Sequence, residues 1–524
     1  MKNLRYLRKE NMRSSKGAVS LLVAITIFTF MAILTGTFLT ISVLRRSQAD
    51  SNARIKQVYE ADIYRVDEIY KDIITNIENA DGRWDSVKRV NTPKLKGTGL
   101  IPIYWDENGT EVELNALSSD EELDKWYDYD QKKWANAITK DESGNITGYF
   151  VWIPRFAYKI KNELGNGGDV SGQIEVVFVD INNQNGGATY KDIYPTVTGD
   201  AMDDFVVHPA FVGNVENGGW DKEIEGFWIA KYAAGFQNGT IGENAKTVQY
   251  SPNLKYTTVN SDLTSNFLES EITVESTPLS YPIFKPNTYA YNIISVGDSF
   301  LLSKEIKNAS TMYGLNNIDS HLEKNSEWGA VAYLTQSSYG INSNPNSKKE
   351  VTINSKNLNN NVYVNNANSG TLGNVYAVTS YGNANVANDI NASSTKNMTG
   401  VFDLNGCVWE RVAGFYIGGD ATDPTWHTAM ANSITEESTK YVTLYPTSYN
   451  DCNKFGDAIK ETSISGGNTN SWNLDYSHFL SSSNPIFGRG GYYGYASKAG
   501  IFAFNNTNGH SNYNIGFRVV LINE

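Results

Sequence analysis

The hydrophobic pattern of the chain begins with one long apolar run near the N-terminus. Residues 18–44 read AVSLLVAITIFTFMAILTGTFLTISVL and contain no charged side chain. At about 1.5 Å per helical residue, this run is longer than a helix needs to cross the hydrocarbon core of a bilayer. We therefore predict a transmembrane helix over 18–44. The alternative is a buried helix of a soluble core.

Beyond this run, apolar side chains recur at helical spacing. They return every three or four residues from Ile55 to Ile77, whereas Asp, Glu, Lys and Arg fill the positions between them. This amphipathic pattern predicts a helical stalk over 45–80. Its apolar stripe is expected to pack either on the protein's own domain or on neighbouring copies of the chain.

The next part of the chain has the pattern of short strands and turns. Residues 98–113, TGLIPIYWDENGTEVE, predict a hairpin with Asn108 and Gly109 at its tip. Residues 148–160, GYFVWIPRFAYKI, predict one apolar strand. We assign 81–204 to a strand-rich amino-terminal part, or cap, of the body.

The rest of the body, 205–524, mixes strand and helix patterns. A strand is predicted over 226–232, and the two clearest helical patterns lie between 295 and 340. In the second of these, apolar positions from Leu322 to Leu334 suit a helix that lies on a sheet. The Asn-rich stretch that follows is expected to form loops.

The charged residues are distributed unevenly on the two sides of the apolar run over 18–44. The formal net charge is -13, yet the first 16 residues hold six Lys or Arg and one Glu, which leaves -18 on the remainder. An acidic body repels phosphate backbones, so we expect no nucleic-acid partner. The basic leader is the denser positive flank, and this predicts that the C-terminal domain lies outside the cell.

The cysteine count is low. Cys407 and Cys452 are the only two cysteines, which excludes a zinc knuckle and leaves a single disulfide open. Five histidines are scattered without metal-ligand spacing. We expect no metal or other cofactor, and structural calcium is left open.

The N-terminus carries a family resemblance. A basic leader, 1–17, ends in SSKG directly before the apolar run. This resembles a type IV prepilin or pseudopilin N-terminus, which a peptidase cuts after the glycine. The resemblance implies other pilin-like subunits as partners and a place in surface filaments. Leu22 departs from the glutamate usual at the fifth mature position, which bears on filament assembly more than on membrane insertion.

A second resemblance covers 205–524. The stretches GFWIAKYAAGF, EWGAVAYL, TGVFDLNGCVWERVAGFY, FGRGGYY and NIGFRVVLI occur in this order. Together they resemble the formylglycine-generating-enzyme, or sulfatase-modifying-factor, type of C-type-lectin-like domain. The resemblance implies an α+β fold with short strands, two helices and long irregular loops, placed after the membrane helix.

Three side chains have structural roles in this pattern. We expect Trp409 to be a buried apolar plug against the terminal strands, and Arg489 and Arg518 to bond carboxylates such as Glu410 or backbone carbonyls.

The oxidase chemistry of that family is not expected here. The oxidase uses a pair of cysteines shortly after its RGG motif to hold copper and exchange with a substrate thiol. The corresponding stretch of this chain, RGGYYGYASKAGIFAF, contains no cysteine. We therefore predict that the protein is not an enzyme.

The terminal segment, 488–517, has the composition of a binding surface. It contains no Asp or Glu, and Tyr, Asn, Gly and Ser dominate it, as in an antibody paratope. It also resembles the variable region of proteins diversified by retroelements, which use this lectin-like fold as a scaffold. The resemblance implies that the ligand-facing positions are Tyr492, Tyr493, Gly494, Tyr495, Lys498, Ala503, His510 and Tyr513. The alternative is an aromatic loop that packs on the domain.

These observations predict a membrane-anchored, single-pass surface-display protein with an extracellular C-terminal domain. Its expected partners are the membrane and a macromolecular or surface ligand, bound through the terminal segment. Two other functions stay open: a minor pilin or pseudopilin with a structural role in a filament, and an oxidase of the formylglycine-generating type.

Overall fold

The computed structural model describes most of the chain after residue 88. The described ranges are 89–114, 120–160, 174–192, 204–240, 281–341, 393–416, 439–467, 470–492, 498–509 and 514–523, apart from single positions at 287, 293, 394, 396 and 447, together with a few helical positions between 25 and 35. The predicted leader over 1–17 and stalk over 45–80 lie outside these residues, as does nearly all of 18–44. Within the described part of the chain, no helix has the length and apolar character needed to span a bilayer.

The described residues form a mixed α+β fold dominated by strands. In chain order the strands are β1 (Ile101–Trp105), β2 (Glu111–Glu113), β3 (Asn136–Lys140), β4 (Ile146–Pro154), β5 (Phe156–Ile160), β6 (Ile174–Phe178), β7 (Gln184–Asn185), β8 (Ala188–Thr189), β9 (Val206–Val207), β10 (Gly226–Ala230), β11 (Gly235–Thr240), β12 (Thr288–Ala290), β13 (Ile318–Leu322), β14 (Trp409–Tyr416), β15 (Thr443–Tyr445), β16 (Ile486–Arg489), β17 (Phe504–Thr507), β18 (Ile515–Phe517) and β19 (Val519–Asn523). The helices are α1 (Asp120–Trp126), α2 (Val296–Glu305), α3 (Ser310–Tyr313) and α4 (Asn325–Gln336).

The largest sheet joins the start of the described chain to its end. Its order is β13-β19-β10-β4-β3-β1-β2, and each neighbouring pair is antiparallel. Strands from both sides of the predicted boundary at 204–205 therefore share one sheet. The chain divides into two units at another point, Met1–Asp85 and Ser86–Glu524.

The core of this sheet is built on cross-strand aromatic pairs. Trp228 of β10 lies directly opposite Trp152 of β4, and the two ring centroids are 5.2 Å apart. Trp126 of α1 stacks on Trp228 at 6.2 Å. All three side chains are buried, and such pairs add stabilisation beyond the apolar area that they bury.

A second sheet carries the terminal segment. Its order is β15-β14-β16-β17, and β18 also pairs with β14. Every residue of β14 is buried, which agrees with its position between three partner strands. α4, which is buried along its whole length, begins where Glu327 accepts a 2.8 Å hydrogen bond from the backbone N–H of Lys324.

Several predicted elements are confirmed. β1 and β2 form the hairpin, and Gly109 at its tip has a φ of 74°. β10 lies within the predicted strand over 226–232, and α2 and α4 lie within the two helical patterns.

Two details of the prediction are wrong. Leu322 belongs to β13 and precedes α4. The apolar stretch over 148–160 forms two strands in different sheets because the buried Arg155 separates them. Its guanidinium donates to the carbonyl of Ile224 at 3.0 Å and to Glu223 at 2.5 Å. A buried guanidinium must satisfy its donors, and Arg155 does so at the one position between the two strands.

Candidate ligand-binding surface

Strand pairing fixes the terminal segment at both ends. β16 is antiparallel to β14, with Arg489 opposite Glu410. β18 is parallel to β14, with Ile515 opposite Trp409, and β17 pairs with β16. The ends of the segment are therefore part of a sheet.

Arg518 anchors the terminal strands through a buried ion pair. Its Nε and Nη2 atoms donate to the two carboxylate oxygens of Glu410 at 2.7 and 2.5 Å. It also donates to the carbonyl oxygens of Ala230 and Phe402 at 2.6 and 2.7 Å. Burial acts to lower the pKa of Arg518, but the pairing with Glu410 outweighs it and raises that pKa. The predicted contacts of Arg518 are confirmed.

Arg489 ties β16 to the middle of the domain. Its guanidinium donates to the backbone carbonyls of Asp457 and Ala458 at 2.9 and 3.0 Å, and to Oδ1 of Asn325 at 3.2 Å. Burial lowers the pKa of Arg489 to about 10, so the side chain is still charged at neutral pH. Its predicted bonding to backbone carbonyls is confirmed.

Gly490 and Gly491 follow Arg489 in a left-handed conformation, with φ of 81° and 79°. A Cβ atom at Gly490 would lie 2.5 Å from the carbonyl oxygen of Leu404, and one at Gly491 would lie 2.5 Å from Cβ of Ala499. Only glycine fits both the backbone angle and the space. The close approach brings the segment onto the turn before β14.

A buried apolar floor, part of which belongs to the segment itself, lies beneath two half-exposed tyrosines. It consists of Trp409, Ala503 and Ile515, and Tyr476 and Tyr492 pack against it while keeping part of their surface exposed. The ring centroids of Trp409 and Tyr476 are 6.2 Å apart in an edge-to-face arrangement. The predicted role of Trp409 as a buried plug is confirmed.

Two exposed residues, His478 and Lys498, neighbour Tyr476. The ring of His478 is exposed and its centroid is 6.3 Å from that of Tyr476. Lys498 is exposed, and its backbone carbonyl accepts a 2.8 Å hydrogen bond from the backbone N–H of Tyr476. We call Tyr476, His478, Tyr492 and Lys498 the terminal surface.

The terminal surface lies in a part of the chain with almost no negative charge. Between residues 462 and 523 the only acidic residue is Asp475. Its side chain is buried and accepts a 3.0 Å hydrogen bond from the backbone N–H of Phe502. In a chain of net charge -13, this stretch contributes no exposed carboxylate among the described residues.

The predicted ligand-facing positions that the structure describes differ in burial. Tyr492 is half-buried, Lys498 is exposed, and Ala503 is completely buried in the floor. The other five predicted positions lie outside the described residues: Tyr493, Gly494, Tyr495, His510 and Tyr513.

Sequence reasoning missed Tyr476 and His478. Both precede the terminal segment in the chain, but hydrogen bonds hold this stretch beside β17. The backbone N–H of Phe504 donates to the carbonyl of Tyr476, and the N–H of His478 donates to the carbonyl of Phe504, both at 2.9 Å. The alternation of Tyr476, buried Ser477 and His478 was the signal, because alternate residues of an extended chain share a face.

Cys407 and Cys452 are buried, and no disulfide joins them. Burial raises the pKa of Cys407 well above its usual value and that of Cys452 to about 12. Because the thiolate is the reactive form, both thiols are poor nucleophiles in the folded protein.

The buried histidines are bonded within the protein. His321 Nε2 lies 2.9 Å from Glu327, and His208 Nδ1 accepts a 3.2 Å hydrogen bond from the backbone N–H of Ala210. Burial lowers the pKa of His208 to about 3. No group of three or more His, Cys, Asp or Glu side chains suited to a metal ion occurs among the described residues.

A half-open cavity lies beside His208, since Val207 and Pro209 both line it. Its wall is mostly apolar and includes Val206, Val212 and Phe455, with Asp192 among the polar members. None of the predicted ligand-facing positions lines it.

Comparison with known proteins leaves the chain without an assigned family. No protein-family model matches it, and no curated protein does. Among solved structures, a Major Tropism Determinant I1 variant aligns over 82% of this chain and 83% of its own, with 12% sequence identity and a TM-score of 0.22. A similarity of this size establishes neither a shared fold nor a shared function.

Proposed function

We propose that this protein is a non-enzymatic binding protein that recognises a macromolecular or surface ligand through the terminal surface and the segment 488–517. The observation that carries the proposal is the half-exposed pair Tyr476 and Tyr492 on a buried floor. Tyrosine offers a large contact area with few rotatable bonds, and a preformed surface loses little conformational entropy on binding.

The charge of the surface narrows the class of ligand. The described terminal surface carries Lys498 and the titratable ring of His478 without an exposed carboxylate. Association is steered by complementary charge. The ligand is therefore neutral or anionic, with hydrogen-bonding groups that meet tyrosine hydroxyls and asparagine amides.

In this proposal, residues 205–524 adopt a C-type-lectin-like fold of the formylglycine-generating type, and the terminal segment is its variable region. The apolar run over 18–44 anchors the protein in the cell membrane, with the domain outside the cell. The support for the anchor is the length of the uncharged run and its basic leader.

The absence of enzymatic activity is also part of the proposal. Its support is the missing cysteine pair after RGG and the burial of both existing thiols. A peptide-thiol oxidation assay with added copper tests it, and thiol oxidation above the rate of copper alone would contradict it.

Binding is tested with the full chain in detergent, screened against a glycan array and a random-peptide phage library. The test variant combines Tyr476→Ala, Tyr492→Ala and Lys498→Ala, and the matched control is Tyr104→Ala, a half-buried tyrosine of β1. We expect to find ligands that bind the wild type and the control variant but do not bind the triple variant. The proposal would be contradicted if the ligands bound the triple variant as well as the control, or if the screen found no ligand.

Diversification is tested on the neighbouring DNA. We expect a reverse-transcriptase gene and a near-copy of the codons for 488–520 that differs only at adenines. Absence of both features contradicts diversification and leaves the binding role to the first experiment.

A further inference from the structure

The buried amine of Lys231 lies against the side-chain amide of Asn136. Lys231 is 1% exposed and Asn136 has no exposed surface. Lys231 Nζ donates to Oδ1 of Asn136 at 2.7 Å, and it also donates to the backbone carbonyl of Met398. A primary amine and a carboxamide are therefore held in contact where water is excluded.

Hydrogen bonds fix the orientation of the amide. Asn136 Nδ2 donates to the backbone carbonyls of Trp134 and Thr399 at 3.0 and 2.8 Å. A flipped amide would place its oxygen against these two carbonyls, so Oδ1 must face Lys231. The amide oxygen is thus held against the amine, next to the carbonyl carbon to which it is bonded, and the NH₂ group donates to the two backbone carbonyls.

The environment favours a nucleophilic amine. Lys231 Nζ lies 4.7 Å from the ring centroid of Trp105 and 5.3 Å from that of Phe402. Burial lowers the pKa of Lys231 well below its usual value, although the charge of Glu111 acts in the opposite direction. Desolvation favours the uncharged amine, which is the nucleophilic form of lysine.

Glu111 lies on the same face of the sheet, and its charge acts on Lys231. It pairs with Trp105, whereas Asn136 pairs with Ile103, two residues away on β1. Directly paired residues and residues two apart share a face. Burial raises the pKa of Glu111, and its carboxyl group bonds the hydroxyl of Tyr149.

We propose that Lys231 and Asn136 form an intramolecular isopeptide bond, with Glu111 as the group that transfers the proton. Nζ of Lys231 attacks Cγ of Asn136, the Nζ–Cγ bond forms and the Cγ–Nδ2 bond breaks. Nζ loses one proton, and Nδ2 gains one proton and leaves as ammonia, so atoms and charge balance, with the Glu111 carboxyl group as the proposed carrier of the proton. The reaction exchanges one amide for another and needs no oxidant. Proximity in a fixed geometry provides the acceleration.

Mass spectrometry of the full chain tests the bond directly. Trypsin cleaves after Lys133, Lys140, Lys222 and Lys246, so the linked protein yields a branched peptide that joins 134–140 to 223–246. We expect this peptide to be lighter by one ammonia than its two parts. Recovery of unlinked 134–140, with Lys231 cleaved normally, would overturn the proposal. This measurement on the wild type depends on no variant.

Variants test the roles of the three groups. Lys231→Arg and Asn136→Ala are expected to abolish the branched peptide, and Glu111→Gln is expected to reduce it at least tenfold at equal times after synthesis. The matched control is Glu113→Gln, since Glu113 lies on the same face but is exposed and paired with Lys140. A Glu111→Gln protein that is linked as fully as this control would overturn the role of Glu111.

A second buried lysine serves as an internal control. Lys324 Nζ lies 4.1 Å from the ring centroid of Trp220, but it donates to the backbone carbonyls of Gly219 and Lys440. It contacts an indole as Lys231 does, but among the described residues it donates to backbone carbonyls and to no side-chain amide. We expect no branched peptide at Lys324, and its appearance there would contradict the geometric argument.

Discussion

Replacing Arg518 by methionine tests the ion pair that anchors the terminal strands. The change leaves Glu410 buried without its partner, for which a penalty of about 3–5 kcal/mol is usual. It also removes the donor from the carbonyls of Ala230 and Phe402, at about 1 kcal/mol each. For a unit as long as 86–524, the unfolding entropy is about 0.9 kcal/mol per kelvin, so the melting temperature should fall by about 6–8 °C.

Differential scanning calorimetry of the full chain measures this change, and two further variants isolate its cause. Arg89→Met breaks an exposed pair with Asp120 and Asp124, and it should lower the melting temperature by no more than about 1 °C. The double variant Glu410→Leu with Arg518→Met leaves no buried charge at the pair and should melt about 3–5 °C above the single variant. A single variant that melts within about 1 °C of the wild type would refute the reasoning. A double variant with the same melting temperature as the single variant would also refute it.

Three other predictions use the same measurement or simple labelling. Gly490→Ala should lower the melting temperature more than Gly144→Ala. Both glycines have a positive φ, but only a Cβ atom at Gly490 would clash with backbone. Equal changes in melting temperature would contradict this clash. Burial raises the pKa of Glu461 to about 7 from 4.5, so the folded state binds more protons and stability should fall as pH rises between these values, by about 3 kcal/mol in all. Glu461→Gln should remove this pH dependence of the unfolding free energy. An unchanged pH dependence in the variant would show that another group causes it. Cys407 and Cys452 should react with a maleimide only after unfolding, and rapid labelling of the folded protein would show that they are accessible.

Local patterns predicted the elements whose partners are near in sequence. The hairpin at Asn108 and Gly109 depends on a turn of known chemistry, and the helices depend on spacing within about a dozen residues. The contacts of Arg518 with Glu410 could be named because few buried groups satisfy a guanidinium. These predictions needed residue type and spacing alone.

Contacts between distant segments could not be predicted in this way. Nothing near Asn136 in the sequence indicates that Lys231 lies against it, since the two meet only after β4 pairs with both β3 and β10. Tyr476 joins Tyr492 for a similar reason, because the sheet and not the sequence places it there. The strand break at Arg155 depends on carbonyls that are supplied by residues 211 and 224.

One short segment contacts both the buried lysine and Arg518, which anchors the terminal strands. Residues 398–402 accept hydrogen bonds from Lys231 at Met398 and from Arg518 at Phe402, and the backbone N–H of Phe402 donates to the carbonyl of Lys231 at 2.8 Å. The chain then continues through a turn to Trp409, which is one of the residues of the floor. These bonds fix the chain that leads to Trp409 from the interior of the domain, so replacement of the half-exposed Tyr476 and Tyr492 should leave this segment in place.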